Sequence, residues 1–213
     1  VRTSPIMTQT EFNNAIADWF SVDGTVGRTR DAHATYGHIE VWNTSIVTDM
    51  SLKFTNKTGF NRDISKWNTG LVVDMNHMFE LCSIFNQDIG NWNTESVVDM
   101  NHMFRSCSIF NNGEQPMNTV GNSWNVSSVT NMTNMFAYAP RFNQDISAWD
   151  TRIVKDMSYM FYGAAFNKDI RGWRVFNVHT QLGFTNMFTT SGMLTEYNAP
   201  ATPTKDFFYT FKP

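Results

Sequence analysis

Large apolar residues recur along the chain at an interval of about 25 residues. One tryptophan series, one methionine series and two phenylalanine series keep the same register. The tryptophans of this register are Trp42, Trp67, Trp92, Trp124, Trp149 and Trp173. Chance cannot hold several residue types in step over six units, so the pattern predicts a repeat array. The single interval of 32 residues marks an insertion between Asn111 and Trp124.

Each unit divides into an extended half and a half with helical spacing. In residues 99–107 the apolar positions follow the i, i+3, i+4, i+7 stripe of a short amphipathic helix. They are Met100, Met103, Phe104 and Cys107. Asp99 stands just before them, where an acidic residue can cap a helix. Residues 85–89 have the character of a short strand, so each unit is predicted to form a strand, a turn and capped helical turns.

Stacking of neighbouring units is required because a unit of 25 residues cannot bury its own apolar face. We therefore predict an α/β repeat: a leucine-rich-repeat-like, right-handed solenoid of about six 25-residue coils, each a short strand plus short helical turns. The solenoid should occupy residues 39–190, with the insertion at 112–118. Its tryptophan, methionine and phenylalanine columns should line one dry interior.

Both ends of such an array need covers, because open ends expose strand edges and core. Residues 1–38 should provide an N-terminal capping helix and a connection, since Thr8 and Glu11 have capping-box spacing. Residues 191–213 should form an extended C-terminal tail. This tail carries Phe207, Phe208, Tyr209 and Phe211. These aromatic residues either cover the last coil or dock on another chain, and both readings stay open.

Composition narrows the functional classes. Aromatic residues make up 15% of the chain, which argues against disorder. The net charge of −3 argues against a basic nucleic-acid surface. No apolar run approaches the roughly 18 residues of a membrane span. The chain has no nucleophile elbow, phosphate-binding loop, dinucleotide fingerprint or zinc-protease helix, so we expect no enzyme and no cofactor.

The two cysteines occupy the same position in adjacent units. Later units place Ala139 and Ala164 where Cys82 and Cys107 stand. Exchange with alanine indicates a buried slot for a small residue, so stacked, packed thiols are favoured. A disulfide between coils stays open, because it requires Cα atoms within about 7 Å.

Recurrent polar residues form two further columns. The acidic column comprises Asp63, Asp88, Asp145 and Asp169. We expect these carboxylates to accept structural hydrogen bonds, with bound calcium as the less favoured alternative. His77 and His102 also lie one unit apart, and solvent-facing side chains are favoured over a metal site. Four asparagines begin glycosylation sequons, namely Asn43, Asn56, Asn125 and Asn131, which matter only in a secreted eukaryotic protein.

At this point the units resemble a known family. Residues 142–151 read FNQDISAWDT and residues 154–161 read VKDMSYMF. These segments are similar to the BspA-like leucine-rich-repeat surface proteins, and more narrowly to the 25-residue repeat of mycoplasma-type surface lipoproteins, also abundant in protists and large viruses. The resemblance implies a surface adhesion or interaction protein. Two departures are Lys53, which replaces a framework methionine, and the insertion at 112–118.

The expected function is therefore non-catalytic protein binding, as a surface adhesion or interaction module or as a subunit of a larger assembly. The alternative is a purely architectural subunit docked through its aromatic tail. Side chains that vary between units are the candidate contacts for a protein partner, namely Arg62, Gln87, Gln144 and Lys168. The expected location is extracellular or a cell or particle surface. The alternative is a large complex in an organelle, reached by a leader removed before Val1.

Overall fold

The N-terminal helix forms where the capping box predicts it. The computed structural model describes residues 6–20, 34–117 and 124–209. Helix α1 spans Gln9–Trp19, with the Thr8 side chain accepting from the Glu11 backbone and the Glu11 carboxylate accepting from the Thr8 N–H. Its buried face packs on the first two units, and the Phe12 ring lies 5.4 Å from that of Trp67. The helix therefore covers one end of the array.

Successive units lie side by side in register. One phenyl column consists of Phe54, Phe79, Phe104, Phe136, Phe161 and Phe188. Neighbouring rings in this column have centroids 5.3 to 6.2 Å apart and nearly parallel planes. The register tryptophans are all buried, and Trp92 has no exposed surface. The predicted shared interior of indole, thioether and phenyl groups is confirmed.

The predicted solenoid of strand-plus-helix coils is wrong. In the described part of residues 39–190 the backbone forms turns, with no α-helix and no β-sheet. Neighbouring units are joined by isolated parallel bridges, such as those of Asp74 with Asp49 and with Asp99. Short 3₁₀ segments occur at Ile39–Val41, Asn112–Glu114, Gln181–Phe184 and Lys205–Tyr209. A leucine-rich-repeat-like coil is therefore not what this chain forms.

Backbone hydrogen bonding explains why turns replace the helix. The N–H groups of Met75, His77, Phe79 and Leu81 donate to carbonyls of the next unit, at 2.9 to 3.1 Å. The N–H groups that follow the last three of these, at Met78, Glu80 and Cys82, donate three residues back. A helix would direct all of them four residues back. Half of the donors therefore join units, and the chain advances as consecutive turns.

Two positions of each unit adopt left-handed backbone at the apices of these turns. The first apex column comprises Leu52, His77, His102, Asn134, Tyr159 and Asn186. The second apex column comprises Asn56, Leu81, Ser106, Tyr138, Gly163 and Thr190. Non-glycine residues rarely have positive φ, so the inter-unit contacts must hold these conformations. None of these residues is buried.

Side-chain ladders join the units behind the turns. The indole Nε1 of Trp92 donates to the Ile64 carbonyl at 3.1 Å, and Trp67 and Trp173 make the equivalent bond. An asparagine ladder runs through Asn61, Asn86, Asn111, Asn143 and Asn167. In it each Oδ1 accepts the backbone N–H of the next member, at 2.7 to 3.1 Å. These ladders satisfy buried or partly buried polar groups, which would otherwise be costly.

The C-terminal region covers the other end. The prediction of an extended tail is wrong for part of it, because it contains a one-turn helix, α2, at Met193–Glu196 and the 3₁₀ segment Lys205–Tyr209. The Phe188 N–H donates to the Ala201 carbonyl at 2.9 Å, as earlier units donate to their successors. The tail therefore takes the place of a further unit. Among the helices of the described residues, none has the length and apolar character needed to cross a membrane.

Candidate functional site

The predicted partner-contact column lies half-buried along the edge of the array. Gln87 Nε2 donates to the Asn61 carbonyl at 3.0 Å, and Gln144 Nε2 donates to the Asn111 carbonyl at 2.8 Å. Arg62 lies 3.8 Å from the Glu40 carboxylate, and Lys168 is half-buried. Two of the four side chains thus already join neighbouring units.

The recurrent acids accept local hydrogen bonds. In Asp63, Asp88, Asp145 and Asp169 the Oδ1 atom accepts the N–H two residues later, at 2.9 to 3.0 Å. The Arg171 side chain also bonds Asp169 through two nitrogens, and this hydrogen bonding lowers the pKa of Asp169. Within the described ranges no three acidic, histidine or cysteine side chains converge to hold a metal ion.

The two cysteines are free thiols in the interior. Cys82 Sγ donates to the Phe54 carbonyl, and Cys107 Sγ donates to the Phe79 carbonyl, both at 2.9 Å. Burial raises the pKa of Cys82 to about 12 and raises that of Cys107 well above its ordinary value. A thiol with such a pKa is a poor nucleophile at neutral pH.

The histidines belong to a charged cluster on the turn face. The rings of His77 and His102 stack 4.4 Å apart. Glu80 bonds His77 Nδ1 at 2.6 Å through one oxygen and Arg105 Nη1 at 2.7 Å through the other. Partial burial acts to raise the pKa of Glu80, but the hydrogen bonds with His77 and Arg105 outweigh it and the pKa is lowered. The Arg105 guanidinium also lies over the Tyr138 ring, 5.8 Å from its centroid.

A groove continues from this cluster along the same face. We call it the tyrosine groove, and it is lined by Arg105, Asn134, Tyr138, Tyr159, Tyr162 and Asn186. Its volume is about 320 Å³. The Tyr138 and Tyr162 rings lie 5.1 Å apart at 58°, and Tyr159 and Tyr162 lie 5.9 Å apart at 43°. The rings are therefore tilted against one another around the groove.

The aromatic residues of the tail differ in burial and packing. Phe208 is buried and stacks 5.3 Å from Phe184, while Phe207 packs edge-on against Phe188 at 5.5 Å. Tyr209 is half-exposed. Phe211 lies outside the described residues. Of the two readings of the tail, the described part shows the one in which it covers the last unit.

The four sequon asparagines differ in accessibility. Asn56 and Asn125 are exposed, whereas Asn43 and Asn131 are partly buried. The Oδ1 atoms of Asn43, Asn125 and Asn131 accept the N–H two residues later. A glycan on Asn131 would have to be accommodated beside the bridges with Asp99 and Asp156.

Comparison with known proteins finds a family that matches most of the chain. The family described as "Mycoplasma protein of unknown function, DUF285" matches residues 21–122 and 114–201. The chain belongs to this family. The predicted relation to mycoplasma-type repeat proteins is confirmed at this level. No curated protein and no solved structure matches the chain.

Sequence reasoning missed the tyrosine groove of this DUF285 protein. The partner contacts predicted from the sequence lie in the predicted strand half of each unit, whereas the groove lies on the turn half. Three of the protein's six tyrosines fall within residues 138–162, and this clustering was a usable signal. Asn134 and Tyr159 occupy one repeat position, which also differs in the other units, whereas the residues two before it and one after it are methionine in most units.

Proposed function

We propose that the protein is a non-catalytic protein-binding module, acting in surface adhesion or interaction or as a subunit of a larger assembly. The observation that carries this proposal is the tyrosine groove on a face whose side chains differ from unit to unit. Tyrosine and arginine are enriched at the energetic centres of protein interfaces. Rigid aromatic side chains add contact area at low entropic cost.

The polar groups with shifted pKa values support binding rather than catalysis. Glu80 is bonded by His77 and Arg105. Arg152 bonds Asp150, and this hydrogen bond lowers the pKa of Asp150. Both carboxylates are therefore already engaged in ion pairs within the chain, which favours a structural or binding role for them. The alternative role, an architectural subunit docked through its tail, has less support because Phe208 is already enclosed by its own chain.

A surface location is part of the proposal. The likeness to the BspA-like surface proteins supports a surface location. It does not extend to their leucine-rich-repeat coil, which this chain does not form. Surface biotinylation of the native source material tests it. Labelling comparable to that of a known surface protein is expected, and labelling only after lysis contradicts it.

Site-specific photo-cross-linking in native source material tests the binding role. A photoreactive benzoylphenylalanine replaces Tyr138 in one variant and Gln87 in a second. A third variant carries it at Tyr209, which lies in the tail and stacks on Phe176, and tests the architectural alternative. The proposal expects one reproducible protein adduct from position 138 or 87, identified by mass spectrometry and suppressed by excess unlabelled full chain. An adduct from position 209 alone would favour the architectural role, and no suppressible adduct at either face position would overturn the binding role.

A further inference from the structure

Charged residues of the last two tryptophan units depart from the repeat. The residue after the register tryptophan is asparagine in the first four units, namely Asn43, Asn68, Asn93 and Asn125. In the last two units it is Asp150 and Arg174, and Arg152 stands where earlier units have serine, glycine or glutamate. Each asparagine already completes the turn, since its Oδ1 accepts the N–H two residues later. The turn therefore does not require these charges.

The three charged side chains line a cleft of about 360 Å³ between these two units. We call it the arginine cleft, and it shares no residue with the tyrosine groove. The residue before the register tryptophan is Val41, Lys66 and Asn91 in the first three units, but Ala148 and Gly172 in the last two. A Cβ atom at Gly172 would have no other atom within 4 Å. The small residues therefore leave the cleft open.

Contacts between the two units hold the backbone that carries Arg174. Thr151 is buried, and its Oγ1 donates to the Arg174 carbonyl at 3.1 Å. The Trp173 indole donates to the Ile146 carbonyl at 3.1 Å and stacks 6.4 Å from the ring of Trp149. The position of Arg174 beside the neighbouring unit is therefore fixed by packing and hydrogen bonds.

The Asp150 carboxylate is hydrogen-bonded to only one of the two guanidinium groups. Nε and Nη2 of Arg152 donate to its two oxygens at 2.8 and 2.5 Å, which leaves Nη1 of Arg152 unused. Arg174 is exposed, and among the described residues its side chain has no hydrogen bond or ion pair. Hydrogen bonding by Arg152 lowers the pKa of Asp150, and the nearby charge of Arg174 contributes to this lowering.

The charge of the cleft indicates the class of ligand. Arg152 and Arg174 are cations and Asp150 is an anion, while the other lining residues are uncharged, so the net charge is +1. One carboxylate neutralises this charge, whereas a phosphate dianion would leave excess negative charge beside Asp150. The net charge of −3 of the whole chain also disfavours a nucleic-acid backbone.

We propose that the arginine cleft binds a carboxylate side chain from an acidic segment of a partner protein. A planar carboxylate accepts two parallel N–H bonds from one guanidinium. Asp150 shows this pairing on Arg152, and Arg174 offers the same donors to a ligand. The space left by Ala148 and Gly172 gives the ligand access. The inference rests on the proposed protein-binding role and adds a second contact surface to it.

The test is an NMR titration of the full-length protein that follows the Arg174 Nε–H and Gly172 amide signals. The ligand is an acetylated and amidated hexapeptide of alternating glycine and glutamate, added to about 10 mM at low salt. The control peptide has glutamine in place of glutamate. We expect saturable shifts with the glutamate peptide alone. Raising the salt to about 300 mM should weaken its binding severalfold.

Two variants test the cleft in opposite directions, and both introduce the asparagine that earlier units carry. Arg174→Asn removes the unpaired cation and should raise the dissociation constant about fivefold. Asp150→Asn removes the competing carboxylate and releases Arg152, so it should lower the dissociation constant about fivefold. The control Lys66→Asn removes an exposed cation of an earlier unit, where the next unit has Asn91. It should leave the dissociation constant within about twofold.

Several outcomes overturn the proposal. They are the absence of saturable shifts, equal binding of the glutamine peptide, and changes of the same sign in Arg174→Asn and Asp150→Asn. Acetate that saturates the same signals at the same concentration as the peptide would identify a site for free carboxylic acids. Inorganic phosphate that binds more tightly than the peptide would identify a phosphate site.

The photo-cross-linking result distinguishes failure of this inference from failure of the binding role. A suppressible adduct at position 138 or 87 without peptide binding removes the carboxylate inference and leaves the protein-binding role intact. The absence of both results removes the two together.

Discussion

The imidazole rings of His77 and His102 stack in parallel, with centroids 4.4 Å apart and planes 9° apart. The two residues occupy equivalent apex positions of adjacent units. Their contact therefore places two titratable rings against each other wherever the units remain in register. Protonation of both rings would set two positive charges at this distance.

The histidine pair predicts a pH-dependent stability. Burial, and then the charge of His77, lower the pKa of His102 below its ordinary value of 6.5. A depressed pKa in the folded state contributes stability above the unfolded pKa, and that stability is lost as pH falls through the folded value. The denaturation midpoint should therefore decrease between pH 7.5 and pH 5, before carboxylates titrate.

His102→Asn should reduce this decrease, since asparagine tolerates left-handed backbone and does not titrate. The measurement is chemical denaturation at several pH values. His179→Asn, at an exposed residue outside the stacked pair, should keep the wild-type dependence. An identical pH profile for His102→Asn and the wild type would show that the stacked ring carries no such linkage.

The buried tryptophan column predicts a large stability loss on truncation. Trp92→Ala should lower the free energy of unfolding by about 3–5 kcal/mol, because it opens a cavity and leaves the Ile64 carbonyl without its donor. Leu182→Ala, at a residue that is 76% exposed, should change it by less than about 0.5 kcal/mol. Urea denaturation measures both. A loss below about 1 kcal/mol for Trp92→Ala would place that indole outside the interior.

Each hydrogen bond of the asparagine ladder should contribute to the free energy of unfolding. Asn86 Oδ1 accepts the N–H groups of Asn111 at 2.7 Å and Gly113 at 3.0 Å. Asn86→Ala should therefore cost about 1–3 kcal/mol, because it leaves two partly buried donors without an acceptor. The exposed Asn91 provides the matched control, Asn91→Ala, with little expected change. Equal free energies of unfolding for the two variants would argue against the ladder.

The buried position shared by Cys82 and Cys107 predicts that both thiols are unreactive in the native protein and that alanine can replace them. Ellman's reagent should label Cys82 and Cys107 only after denaturation, since both are buried and burial raises both pKa values. Cys107→Ala should cost about 1 kcal/mol or less, because later units carry alanine there. Cys107→Leu should cost more through overpacking, about 1–3 kcal/mol. Rapid labelling of the native protein would contradict this arrangement.

The N-terminal helix and the interior columns could be predicted from the sequence because their signals are local or periodic. Thr8 and Glu11 have the spacing of a capping box, which marks the N-terminus of a helix. The recurrence of Trp92 and its equivalents reports burial whatever backbone lies between them. These features do not depend on how the N–H groups within a unit are paired.

The helical half of each unit could not be distinguished from turns in the same way. Met100, Met103 and Cys107 have helical spacing, but consecutive turns bury the same positions. Asp99 accepts a hydrogen bond from the N–H of Asn101, so its capping signal is also satisfied in a turn. The choice depends on bonds to the next unit, and a single unit's sequence does not contain that information.

The tyrosine groove depends on the same long-range pairing. Arg105 and Tyr138 are 33 positions apart because the insertion lies between them. They approach only when the units on either side of that insertion return to register. Their separation in sequence therefore gives no indication that the stacked turns bring these two side chains together.

The central claim is that side-by-side units are joined by turn backbone, and NMR distance measurements on the labelled full chain test it most directly. The amide proton of Phe79 should show contacts with Met103 and its neighbours, as its hydrogen bond to the Met103 carbonyl requires. Residues 100–107 should lack the α-proton to amide contacts four residues apart that mark a helix. A continuous helical pattern over 100–107, or no contact between residues 79 and 103, would contradict the account.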